Sequence, residues 1–70
     1  MLRMTKLRKD ADLSQAALAR AAELNGSTVN AIERGRLNPY PVQIEAIARA
    51  LGHEGDPAEL LEDVSEDASA

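Results

Sequence analysis

Apolar residues recur along this chain at intervals of three and four and nowhere alternate at two, which commits it to helices. Met4, Leu7 and Ala11 mark a first helix over residues 2–11 or so. Ser14 follows as an N-cap, its hydroxyl placed to accept from a first-turn N–H that no helix carbonyl can reach. The run from Gln15 to Ala22 is mostly alanine, leucine and arginine, all strong helix formers, with Leu18 and Ala22 on one face. Asn25-Gly26 breaks it. Ser27 or Asn25 then caps a third short helix through Arg34, with Val29 and Ile32 inward and Gly35 at its exit.

Asn38-Pro39-Tyr40-Pro41 is a rigid connector, because each proline pushes the residue before it out of the helical region. Pro41 suits the first position of a fourth helix, which runs to Leu51 with Ile44, Ile47, Ala48 and Leu51 on its buried stripe and Gly52 closing it. Asp56-Pro57 opens a fifth stretch, Ala58 to Val64, whose apolar face is Leu60, Leu61 and Val64. The expected fold is all-α: a compact bundle of about five short helices forming one domain over residues 1–64. Residues 65–70 are expected to be an acidic, frayed tail.

Catalysis finds little to work with. Cysteine is absent, which removes disulfides, thiolate zinc sites and thiol nucleophiles. The one histidine, His53, follows a helix C-terminus, where a charge–dipole contact or plain solvation is its expected role. No serine has a histidine placed to activate it, no glycine-rich loop offers a phosphate cradle, and the acidic tail lacks the ligand alternation of a calcium loop. No enzyme activity, metal or cofactor is expected. MLRMTKLRKD has basic residues but no apolar stretch of a secretory signal, and no run approaches the ~20 residues that span a bilayer. A cytoplasmic protein without a membrane partner is expected, with no residues left for a sensor domain.

The net charge of −4 conceals a division. Residues 1–52 hold all eight basic groups against five acids, a balance of +3, whereas residues 53–70 hold seven acids and no base, −7. The body therefore suits a polyanion, and the C-terminal segment does not.

Residues 13–35, LSQAALARAAELNGSTVNAIERG, place two short helices, about 14–22 and 26–34, around a turn of about four residues, which is helix-turn-helix spacing. In that arrangement the second helix enters the major groove of DNA while the first crosses the backbone. Close crossing needs a small residue between the helices, and Ala19 fits; Leu18, Ala22, Val29 and Ile32 supply the apolar wedge.

Leu7-Arg8, Leu13-Ser14-Gln15, Leu18-Ala19, Thr28-Val29, Ile32-Glu33-Arg34-Gly35, Asn38-Pro39 and Ile47-Ala48-Arg49-Ala50-Leu51-Gly52 together resemble the Cro/repressor-type helix-turn-helix family of lambda-repressor-like DNA-binding regulators. The resemblance runs from Leu7 to Leu61 and implies a five-helix domain whose third helix reads double-stranded DNA, usually as a homodimer. It implies that Gln15 holds a phosphate at the start of the first motif helix, with Ser14 and Asn25 at the two motif-helix N-termini and Arg36, Asn38 and Tyr40 beyond the recognition helix as further backbone contacts. Tyr40 has an alternative place, as the one aromatic packed on the core. The recognition helix presents Gly26, Ser27, Asn30, Ala31 and Arg34 outward and Thr28 at its edge, so base readout falls to Ser27, Thr28, Asn30 and Arg34. Arg8 and Glu33 match a family pair that links the first helix to the recognition helix, a structural ion pair rather than a DNA contact.

Two positions depart from the family pattern. Glu23 occupies the turn position usually held by glycine and must either adopt a positive φ or shift the turn. Gly26, first on the recognition helix, has no side chain to read a base. The expected function is a sequence-specific transcriptional regulator, a repressor that occupies operator DNA as a dimer, with Leu61 and Val64 as dimer contacts. The alternative is a protein-interaction module on the same fold, an antitoxin or transcriptional co-factor whose acidic tail meets a basic protein partner.

Overall fold

The computed structural model describes residues 1–64. Four α-helices follow one another: α1 (Arg3–Asp10), α2 (Gln15–Ala21), α3 (Gly26–Glu33) and α4 (Pro41–Leu51), and a 3-10 helix (Pro57–Leu61) ends the series. The chain is all-helical, a small bundle with no named strand among the described residues. Three of the five starts have a local cause in a side chain or a proline. Ser14 Oγ accepts from Ala17 N–H at 3.0 Å, and Asp56 Oδ1 accepts from Ala58 N–H at 3.0 Å. Pro41 opens α4, where Gln43 Oε1 accepts the Tyr40 N–H at 2.9 Å. Asn25 occupies the N-cap of α3 with extended backbone, and its side chain makes no capping bond.

All four α-helices end in the same way. After each, one residue turns into the left-handed region: Asp12 (φ 61), Glu23 (φ 60), Gly35 (φ 75) and Gly52 (φ 71). That residue and the next then donate back to the last helical turn, as Glu23 N–H does to Arg20 O (3.2 Å) and Leu24 N–H to Ala19 O (2.7 Å). This is the Schellman arrangement. Only two of the four stops carry the glycine that makes a left-handed residue readable from sequence. Of the two routes open to Glu23, the chain takes the positive φ. Where glycine is missing, the residue after the stop is leucine, and Leu24 packs against the core.

The core holds Met4 from α1, Leu18 and Ala19 from α2, Ala22 from the turn, Val29 and Ile32 from α3, Ile44, Ile47 and Ala48 from α4, and Leu60 from the 3-10 helix. Ala11 differs from the expected pattern: it lies past the end of α1 and is exposed. The fifth stretch differs too, as a single 3-10 segment that stops at Leu61 rather than a helix to Val64. Beyond it the backbone extends because it pairs with the N-terminus: Leu2 and Asp63 form an isolated antiparallel bridge, Arg3 N–H donates to Glu62 O (2.8 Å), and Val64 N–H donates to Met1 O (2.7 Å). The frayed tail expected at 65–70 lies outside the described residues.

Candidate nucleic-acid interface

α2 and α3 pack against each other through a four-residue turn, Ala22 to Asn25. Ala19 sits in the packed interior with 2% of its surface exposed, as the small residue such a contact needs. Ala22, Val29 and Ile32 complete the wedge, and Glu23 supplies the reversal. The turn thus holds α3 as a short rod on the scaffold of α2.

One side chain cluster locks that rod to α1. Arg8 Nε donates to Glu33 Oε2 at 2.8 Å and Arg8 Nη2 to Glu33 Oε1 at 3.2 Å, while Arg8 Nη1 donates to Leu13 O at 2.8 Å. Only 12% of the Arg8 side chain and 5% of that of Glu33 are exposed. Two charges withdrawn this far from water need bidentate geometry to offset their desolvation, and here they have it. Gln15 Nε2 is a third donor to the Glu33 carboxylate, reaching Oε1 at 2.8 Å, and Asn30 Nδ2 donates to Gln15 Oε1 at 3.0 Å. Gln15 and Asn30, expected separately as a phosphate ligand and a base reader, are therefore joined. Asn30 and Glu33 are three residues apart on one face of α3, and that spacing alone could have pointed to a shared partner on α2.

The remaining expected contacts are distributed as follows. Ser27 and Arg34 are exposed on and just past α3, and Thr28 is half-buried at its edge. Ala31, expected outward, is half-buried. Gly26 looks toward α2, where an added Cβ would stand 3.9 Å from Ala16 Cα. Ser14, Asn25, Arg36 and Asn38 are exposed. Tyr40 is 71% exposed, so it is no part of the core. Leu61 and Val64 are half-buried within the single chain, Leu61 against the core. Among the described C-terminal acids, Glu59 lies on the 3-10 helix packed against α1 and α4, Glu62 stands 3.3 Å from Arg3, and Asp63 stands 3.1 Å from the N-terminal ammonium.

A family model described as a helix-turn-helix domain matches residues 2–61, nearly the whole described chain. The chain belongs to that helix-turn-helix family. The match spans all four α-helices, the packed pair α2 and α3 among them. No curated protein and no solved structure matches the chain. Among the described residues, no helix of this helix-turn-helix domain is long and apolar enough to cross a membrane, and no group of three or more His, Cys, Asp or Glu is gathered as for a metal ion.

Proposed function

We propose that this helix-turn-helix domain is a Cro/repressor-type regulator that occupies operator DNA as a homodimer, with α3 in the major groove. The observation that carries this reading is the character of the surface around α3. Ser27 and Arg34 are exposed there, and Arg36, Asn38 and Tyr40 follow in exposed positions, while Glu62 pairs with Arg3 and Asp63 with the N-terminal ammonium. Ser27, Thr28, Asn30 and Arg34 read bases; Ser14, Gln15, Asn25, Arg36, Asn38 and Tyr40 position the protein on phosphates. Repression needs nothing beyond occupancy, since a bound domain excludes other proteins from the same DNA.

The dimer reading rests on the C-terminal end. Leu61 stands with Leu2, Leu37 and Pro39 around an open groove of about 410 Å³ beside the exit of α3, and Leu37 keeps 39% of its surface exposed. Leu61 and Val64 meet a second copy across that edge. Two half-sites then compensate for a reading surface with few side chains.

A gel shift over a salt series, with randomised and genomic duplexes, tests the reading. Arg36→Ala weakens binding to all duplexes alike and lowers the salt slope by about one unit, the signature of a lost phosphate contact. Arg34→Ala instead flattens the preference among duplexes. Binding that ignores sequence and salt would sink the proposal and favour a protein-interaction module on the same fold.

A further inference from the structure

We infer that Glu33 is a positioning residue for base recognition: it sets the orientation of the Asn30 amide through Gln15. This inference rests on the operator-binding reading and names how its central residue is held.

The reasoning turns on what each group can donate. An ionised carboxylate only accepts hydrogen bonds, an arginine only donates, and a carboxamide has one end of each kind. Glu33 is held by two donors of Arg8, at 2.8 and 3.2 Å, so its carboxylate is fixed in place. Gln15 approaches Glu33 Oε1 at 2.8 Å and must turn its NH₂ toward it. The Gln15 carbonyl is then the end left for Asn30, 3.0 Å away, and Asn30 must answer with its own NH₂. Each choice forces the next. Arg8, Glu33, Gln15 and Asn30 form a relay in which the direction of every bond is dictated by the acceptor-only group at its buried end.

The consequence lies at the last link. Asn30 spends one N–H on Gln15 and keeps one N–H together with its carbonyl oxygen. A donor beside an acceptor is the pair that adenine demands in the major groove, N–H to N7 and carbonyl from N6. Without the relay the carboxamide is free to turn over, and both orders of donor and acceptor become available to the base. With it, only one order is presented. Glu33 and Gln15 thus act on specificity without Glu33 touching DNA.

The test uses the full chain and Gln15→Leu, which leaves the Arg8–Glu33 pair untouched and removes the link. In the free protein, nuclear magnetic resonance of the side-chain amides reports the relay: the Asn30 NH₂ protons of wild type differ from solvent-exposed values and move toward them in Gln15→Leu. Selection from a randomised duplex library reports the consequence. Wild type shows a preference of about tenfold at the base pair under Asn30, the size of one good bidentate contact, and Gln15→Leu reduces it to about twofold or less while the preference under Arg34 stays. An equal loss at every sequence, with all preferences kept, makes Gln15 a phosphate ligand only and overturns the inference. Asn30 protons already at exposed values in wild type overturn it as well. A wild-type protein with no sequence preference overturns the operator-binding reading and this role with it, whereas a preference that survives Gln15→Leu overturns the role alone.

Discussion

Glu23 is the residue whose conformation is least expected of its chemistry. It sits at φ 60 because the turn between α2 and α3 must reverse within four residues and because Leu24 beyond it is anchored in the core. A left-handed non-glycine residue costs about 1–2 kcal/mol. Glycine removes that cost but regains some of it through its greater freedom in the unfolded chain, about 0.5–1 kcal/mol. Glu23→Gly is therefore expected to stabilise the domain by about 0.5–1 kcal/mol, read as a higher urea midpoint with an unchanged slope. A lower midpoint would mean that the Glu23 side chain contributes more than its backbone costs. Asp12, with φ 61, is the parallel case at the end of α1, and the sequence carried no sign of it. Spacing and composition reveal a left-handed stop only when glycine occupies it, as at Gly35 and Gly52.

At the scale of elements, the crossing of α2 and α3 governs where the reading surface lies. Both helices are short, seven and eight residues, too short to hold their shape alone, so their mutual packing carries them. Ala19 is the small buried residue of α2 expected to set their separation. Ala19→Leu inserts three carbon atoms into a site with 2% exposure and is expected to cost about 1–3 kcal/mol. Against a total of about 5–15 kcal/mol for a folded domain, and nearer the lower end for one this small, that is a large loss. The thermal midpoint should fall by several degrees, and an unchanged midpoint would show that the helices part freely at this point. On the proposed docking, with α3 in the major groove, any remaining fold should bind DNA poorly, because α3 is shifted relative to α2.

The whole molecule is closed by its two ends. Leu60 is fully buried between α1 and α4, and the backbone after it pairs with the first three residues through the Leu2–Asp63 bridge. Deleting residues 58–70 removes that plug and the bridge together, so the remaining chain is expected to lose cooperative unfolding, seen as a broad, shallow thermal transition. Deleting only residues 65–70 takes away two acids, Glu66 and Asp67, and no described contact. That variant should fold as well as the full chain and bind nonspecific duplex slightly more tightly at low salt, where the lost repulsion is least screened. Equal melting curves for the full chain and for residues 1–57 would refute the closure.

Most helix starts, two of the stops and the apolar stripes were legible because their causes lie within a turn or two of chain: Ser14 reaches Ala17, Pro41 opens its own helix, and Ile44, Ile47 and Ala48 share a face by spacing alone. The Arg8–Glu33 pair was legible only through family resemblance, since nothing local links residues 25 apart. The tertiary structure alone decided that Gln15 and Asn30 share a hydrogen bond, that the fifth stretch stops as a 3-10 turn, and that residues 62–64 run beside residues 1–3. Those outcomes depend on how far α3 is rotated about its axis against α2 and on how closely the chain ends approach. Both are set by the fit of buried side chains from all the helices at once, a quantity that no single stretch of sequence contains.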